Sequence, residues 1–464
     1  MNSLWQQVTL SGLALQRWQQ GSYLSRLLVG SLGRWRSHSW LMQWSEAIGA
    51  LLCSLIFGLA PFVSTTLIGL LLLAGGSYWL LLTISDDGET IFTPIHLLVL
   101  LYWAIATVAT AMSPVKTAAM TGWVKLTLFL LLFALLARVL RSPRIRSFLI
   151  TVYLHISIVV SVYGIRQWRM GVKPLATWTD QTSSAADVTR VYSYLGNPNL
   201  LGGYLLPAVI LSIGAIFVWS GLLPKLLALS ATGLNFFCLV FTWSRGAWIG
   251  LLVGAFVLLL LLVYWWSPQL PAKWRKWSIP GVLGASATMI VFAVMFVEPV
   301  RDRAASIFAG RADSSNNFRI NVWQSVVEMI RDRPILGIGP GNNAFNKIYP
   351  LYMRPKYSAL SAYSVILETA VETGIIGLMT FIWLLVVTFN QGMVQLKRLR
   401  DRANVQGYWL MAAIAIIAGM MAHGLVDTVW YRPQVNTLWW LVMAIVASYY
   451  PCEPTARESV SPVT

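Results

Sequence analysis

Long apolar runs constrain this chain more than any other feature. "LIGLLLLAGGSYWLLLTI" and "GAWIGLLVGAFVLLLLLVYWW" are two of several that approach or exceed ~18 residues, the length that spans a bilayer as a helix. In hydrocarbon every backbone N–H and C=O must be paired within the protein, so such runs fold as helices. Of the 464 residues, 57% are hydrophobic and only 11% charged, against about a quarter charged in soluble domains. The expected fold class is all-α: a polytopic transmembrane helical bundle with a large, partly helical periplasmic loop.

We read about twelve spans, at 43–62, 64–83, 94–112, 123–140, 147–165, 199–219, 223–243, 246–266, 280–298, 362–389, 408–427 and 434–450. The chain then divides into an amphipathic N-terminal segment (1–42), spans 1–9 (43–298), a large loop (299–361), spans 10–12 (362–450) and a tail (451–464). No compact apolar core followed by a small-residue cleavage site precedes the first span, so no cleavable signal is expected. The net charge of +17 would suggest nucleic acid in a soluble protein. Here Lys and Arg gather in alternate loops, as at Arg34 and Arg36, Arg138 to Arg146, Lys273 to Lys276 and Lys397 to Arg402. The positive-inside rule then puts both termini in the cytoplasm, with membrane lipids and no nucleic acid as partners. A multi-pass protein of the plasma or thylakoid membrane is expected.

Two long loops, 166–198 and 299–361, lie on the non-cytoplasmic side in this reading, and both are basic. Within the second, "RINVWQSVVEMIRD" has helical apolar spacing, at Ile320, Val322, Trp323, Val326, Val327 and Ile330. "RPILGIGPGNNAF" follows and reads as a turn, because it lacks the Lys-Ser/Thr of a phosphate-binding loop. Cys53, Cys238 and Cys452 have neither disulfide nor zinc spacing, and no metal or cofactor is expected.

The same topology collects unusual residues at the non-cytoplasmic end. Arg190 precedes Asn197-Pro198-Asn199, which breaks the entry to the sixth span. Arg245 sits in a tight turn, Arg319 opens the loop helix, and Arg432 follows the eleventh span. Glu368 and Glu372 are i and i+4, and so are His423 and Asp427, so each pair shares a helix face. Asp427 is placed to orient the His423 imidazole. Ionisable groups at membrane depth usually face the bundle interior or a wet cavity. One anion-attracting chamber is therefore expected: Arg190, Asn197, Asn199, Arg245, Arg319 and Arg432 hold the anion, and the two glutamates line the same chamber. The bland alternatives are interfacial anchors, a helix that extends outward past the glutamates, and a structural His–Asp bond.

"RVYSYLGNPNLLGGYL", "FTWSRGAWIGL", "FRINVWQSVVEMIRDRPILGIGPGNNAF", "ILETAVETGIIGL" and "AHGLVDTVWYRP" resemble the O-antigen ligase and polymerase-like family. "SVYGIRQW", "DSSNNFRINVW" and "ALSAYSV" resemble a cyanobacterial branch of it, implicated in inorganic-carbon accumulation and assigned to bicarbonate transport. The resemblance implies a twelve-span fold whose arginines hold the pyrophosphate of a polyprenyl-linked glycan, on the positions of Arg190, Arg245 and Arg319. It also implies a histidine where this chain has Tyr363. A phenol of pKa about 10 is a poor base near neutrality. Bicarbonate transport is the expected function; the alternatives are glycan ligation or polymerisation with Glu368, Glu372, His423, Asp427 or Tyr363 in catalytic roles, and regulation of another transporter.

Overall fold

The computed structural model describes residues 2–13, 15, 22–23, 29–86, 92–173, 189–296, 301, 305 and 310–451. These form helices, turns and no strand. Cys452, the 451–464 tail beyond its first residue, the acidic "DGET" stretch and residues 174–188 of the first long loop lie outside them. The protein is an all-α polytopic membrane protein.

A helix occupies each of the twelve expected segments: α1 Ser45–Leu59, α2 Thr65–Ile84, α3 Pro94–Ala111, α4 Lys116–Val139, α5 Pro143–Met170, α6 Pro198–Val218, α7 Leu222–Phe241, α8 Arg245–Trp266 and α9 Ala272–Phe296. After the long loop come α12 Val365–Asp401, α13 Gly407–Gly424 and α14 Pro433–Ser448. The loop itself contributes α10 Ser314–Asp332 and α11 Asn342–Ile348. Among the described residues, nine helices are long and apolar enough to cross a membrane. At 15 and 16 residues, α1 and α14 are short for a bilayer.

The interior is built around α6, α13 and α14, which are buried on nearly all sides. Lipid tails are as apolar as leucine, so helix association needs close packing or polar contacts. Both occur here. Gly246, Gly250 and Gly254 recur every fourth residue on α8, and a Cβ at Gly250 would fall 2.7 Å from the Gly419 carbonyl oxygen of α13. Across α5 and α7, the Ser161 hydroxyl donates to Asn235 Oδ1 at 2.7 Å, and Asn235 Nδ2 donates to Ser157 at 3.1 Å. At one end of the bundle, Arg138 and Arg36 flank buried Asp86 at 3.0 and 3.7 Å. At that same end Arg146 lies 3.8 Å over the Tyr449 ring.

At the opposite end the long loop folds on a small core of its own. Val322, Val326 and Met329 of α10 pack with Phe345, Tyr349, Ala362 and Val371. The buried stripe therefore differs from the apolar spacing in the sequence. Val327 is 36% exposed, and Met329 is buried in its place. The Gly-rich stretch is a turn, and it seats this lobe on the bundle. Gly337, Gly339 and Gly341 all have positive φ, a region in which a side chain is strained. Their loop passes so close to α4 that a Cβ at Gly341 would meet the Gly122 Cα at 2.6 Å.

The loop also breaks α12. Gly374 takes φ 68° inside that helix. Ile375 N–H then donates to the Pro334 carbonyl at 2.8 Å, instead of to its own helix. The Val371 and Glu372 carbonyls accept from Ile338 and Gly339 N–H, each at 2.9 Å. The tenth expected span is thus two helical pieces, with the backbone groups freed at the break satisfied by the loop.

Candidate functional site

The glycine turn and the entry to α6 bring a cluster of charged groups together at the lobe end. Asn197 caps α6: its side-chain oxygen accepts from Asn199 N–H at 2.8 Å and Leu200 N–H at 3.2 Å. Capping fixes the first turn and so aims the next side chain. Asn199 Nδ2 donates to Asp427 Oδ2 at 2.7 Å, and Arg190 donates to Asn199 Oδ1 at 3.0 Å. Arg190 also donates from Nε to the Thr242 carbonyl at 3.1 Å. This tethers it to the turn that carries Arg245. Arg245 in turn donates to Asp313 at 2.8 Å. Asp313 caps α10 by accepting from Asn316 N–H, so Arg245 binds the start of the helix that presents Arg319.

Arg245 and Arg319 lie close enough to Arg190 to act on its charge. Burial holds the Arg190 guanidinium below its ordinary range, Asp427 opposes that shift, and the two other arginines add to it. Three guanidiniums against Asp427 and Asp313 leave the cluster net positive. Arg319 donates from NH1 to Ser315 at 3.1 Å, and its buried Nε has no hydrogen-bond partner among the described residues. Tyr363 joins the cluster in a left-handed backbone conformation, φ 50°. Its phenol feels Asp427, Tyr431 and Arg319, and burial first, then Asp427, drives its pKa well above the tyrosine range.

His423 enters from α13 at 1% exposure. Its ring fills a slot made by glycines: a Cβ at Gly246 would fall 2.6 Å from Cδ2, and one at Gly250 would fall 3.0 Å from Cβ. The expected imidazole–carboxylate bond is not made. The i, i+4 spacing assumed a continuous helix, but α13 ends at Gly424. Asp427 turns to Asn199 and to Thr428 N–H at 2.8 Å instead.

The two glutamates do not join the arginines. They line a separate cavity of about 170 Å³ with Lys125, Tyr102, Gly341, Asn436 and several tryptophans. Glu368 Oε2 accepts from Ala362 N–H at 2.5 Å, and Glu372 Oε1 from Gly341 N–H at 2.6 Å. The i, i+4 rule correctly put them on one face. That face turns toward α4 and the glycine loop, while the arginines come from α8, α10 and the entry to α6. Thr428, next in sequence to Asp427, and Tyr431, which acts on Tyr363, line this second cavity. Arg432 lies outside both, exposed, with its guanidinium 5.3 Å from the Tyr431 ring. Lys125, which sequence reasoning passed over, is the charge inside an apolar run that points to the second cavity. The every-fourth-residue glycines of α8 were the readable sign of close packing around His423.

Residues 229–382 match the family model described as O-Antigen ligase. The O-antigen ligase match covers about a third of the chain and takes in Arg245, Arg319, Tyr363, Glu368 and Glu372. Arg190, His423, Asp427 and Arg432 lie beyond it. The likeness supports an O-antigen ligase-like membrane protein, for which lipids and lipid-linked glycans are consistent partners. No curated protein matches the chain.

Proposed function

We propose that the arginine cluster binds the pyrophosphate of a polyprenyl-linked glycan and that the protein acts in glycan transfer on the non-cytoplasmic side of the membrane. The observation that carries this reading is the meeting of Arg245 and Arg319 with Arg190, which Asn199 links to the carboxylate of Asp427. Guanidinium forks bind phosphate oxygens in pairs. The O-antigen ligase match across two of these arginines supports the same reading. The side assignment draws on Arg36, Arg138 and Arg146, which occupy the other end of the bundle.

In the transfer, an acceptor hydroxyl forms the new glycosidic C–O bond as the sugar–pyrophosphate bond breaks. The electron pair leaves with the pyrophosphate, where the arginines stabilise it. The hydroxyl proton goes to Asp427, the carboxylate inside the cluster. Tyr363 stays protonated and positions rather than accepts, because its pKa is driven upward.

The test is retention of a polyprenyl pyrophosphate by the purified protein in nanodiscs, read by native mass spectrometry. Wild type retains it, and Arg190→Ala and Arg319→Ala lose most of it. Equal retention by wild type and both variants overturns the proposal.

One observation favours a second reading, bicarbonate handling. Tyr363 stands where the family resemblance implies a histidine, which suits an anion site without transfer chemistry. Radiolabelled bicarbonate uptake into proteoliposomes above empty vesicles, lost in Arg190→Ala, would support it; no uptake removes it.

A further inference from the structure

The second cavity has a charge pattern that the arginine site does not explain. Glu368 is 7% exposed, and its Oε1 is buried with no hydrogen-bond partner among the described residues. Asn436 Oδ1 and Trp430 Nε1, on the same lining, are also buried and unpartnered. Glu372 lies one helical turn from Glu368, close enough for the two carboxylates to act on each other. Leaving buried acceptors and a like-charge pair uncompensated is costly. Thr428 Oγ1, on the same lining, is buried and unpartnered as well. Two of these four atoms can only accept and call for a donor, and a cation satisfies the carboxylates as well. Trp430, Trp439 and Tyr102 line the same space, and aromatic faces attract ammonium groups. Lys125, in contrast, is exposed where it meets the cavity. Glu368 is therefore buried, Glu372 is half-buried and the positive group is at the rim.

We infer that this cavity binds a zwitterionic aminoalkyl phosphate, such as a lipid headgroup, with its ammonium toward Glu368 and Glu372 and its phosphate toward Lys125. At ~30 Å³ per water, about 170 Å³ holds the volume of five or six waters, which suits one small headgroup. The inference stands apart from the glycan reading, because no arginine of the first cluster lines this space.

The test is calorimetric titration of the purified, detergent-solubilised protein with phosphoethanolamine, and separately native mass spectrometry from nanodiscs with and without phosphatidylethanolamine. Saturable binding is expected in at least one arm. Binding of the soluble compound points to a free ligand, and retention of the lipid alone points to the bilayer as its source. Glu368→Gln and Glu372→Gln keep the acceptors for Ala362 and Gly341 N–H and so preserve the fold, yet should weaken binding about tenfold. Lys125→Ala should weaken it a few-fold. Glycerol phosphate, which lacks the ammonium, should not bind. Equal binding of glycerol phosphate, binding of glucose in place of phosphoethanolamine, indifference to both Gln variants, or no saturable binding in either arm overturns the inference.

Discussion

Asn199 bonds to Asp427 at 2.7 Å across 228 positions of sequence, and through its other atom it holds Arg190. One small amide thus fixes the spacing between a half-buried guanidinium and a buried carboxylate. Asn199→Leu removes both bonds and costs each charge one of its partners, leaving Arg190 its bond to the Thr242 carbonyl and Asp427 its bond from Thr428 N–H; the loss should be about 1–3 kcal/mol. Its melting temperature in detergent should fall by several degrees, and polyprenyl pyrophosphate retention should fall with it. A variant as stable as wild type would show that the amide carries no load.

Gly374 presents a sharper case. Its φ of 68° is unfavourable for a side chain, and an added Cβ would collide with the Ile335 carbonyl. Gly374→Ala should destabilise by more than the ~1–3 kcal/mol that a side chain costs in this positive-φ, extended-ψ region, ψ being −171°. Gly233→Ala, on α7 with nothing within 4 Å of the new atom, should be neutral or stabilising by about 0.5–1 kcal/mol. Parallel thermal melts check the contrast.

Gly246→Ala tests the slot around His423. The new methyl would lie 2.6 Å from the imidazole, so the ring must move. Glycan transfer or anion binding should drop about tenfold with little loss of expression, read against wild type in the same nanodiscs. Unaltered function would mean that the ring position is immaterial.

Tyr363 gives a pH prediction. An unfolded tyrosine releases its proton near 10, whereas the folded phenol holds it to higher pH because burial and Asp427 disfavour the phenolate. Above pH 10 the unfolded state therefore binds fewer protons, and stability falls as pH rises. Below that, the contribution is fully present. Tyr363→Phe should flatten the alkaline part of the stability profile and leave the neutral part alone, as measured by Tm against pH.

The positions of the helices were readable because bilayer-length apolar runs have one solution. The convergence of Arg190, Arg245 and Arg319 was readable too, since loop parity puts their three turns at one end. The split between arginines and glutamates was not. Spacing says that Glu368 and Glu372 look the same way, but not which neighbour they look at. The interruption at Gly374 was equally hidden, because the groups that compensate it sit in Pro334 to Gly339, a separate stretch of chain. Val327 and Met329 show the remaining ambiguity: both are apolar, and only the lobe's own packing decides between them.

The clasp of the glycine loop on Gly122 and Gly374 is mostly main chain, with the Glu372 and Ser113 side chains adding a bond each. The registration of lobe to bundle therefore depends on few side chains nearby, so long as Gly122, Gly337, Gly339, Gly341 and Gly374 stay bare. Surface side chains of the lobe are free to diversify while the backbone keeps α10, and with it Arg319, in place on the bundle.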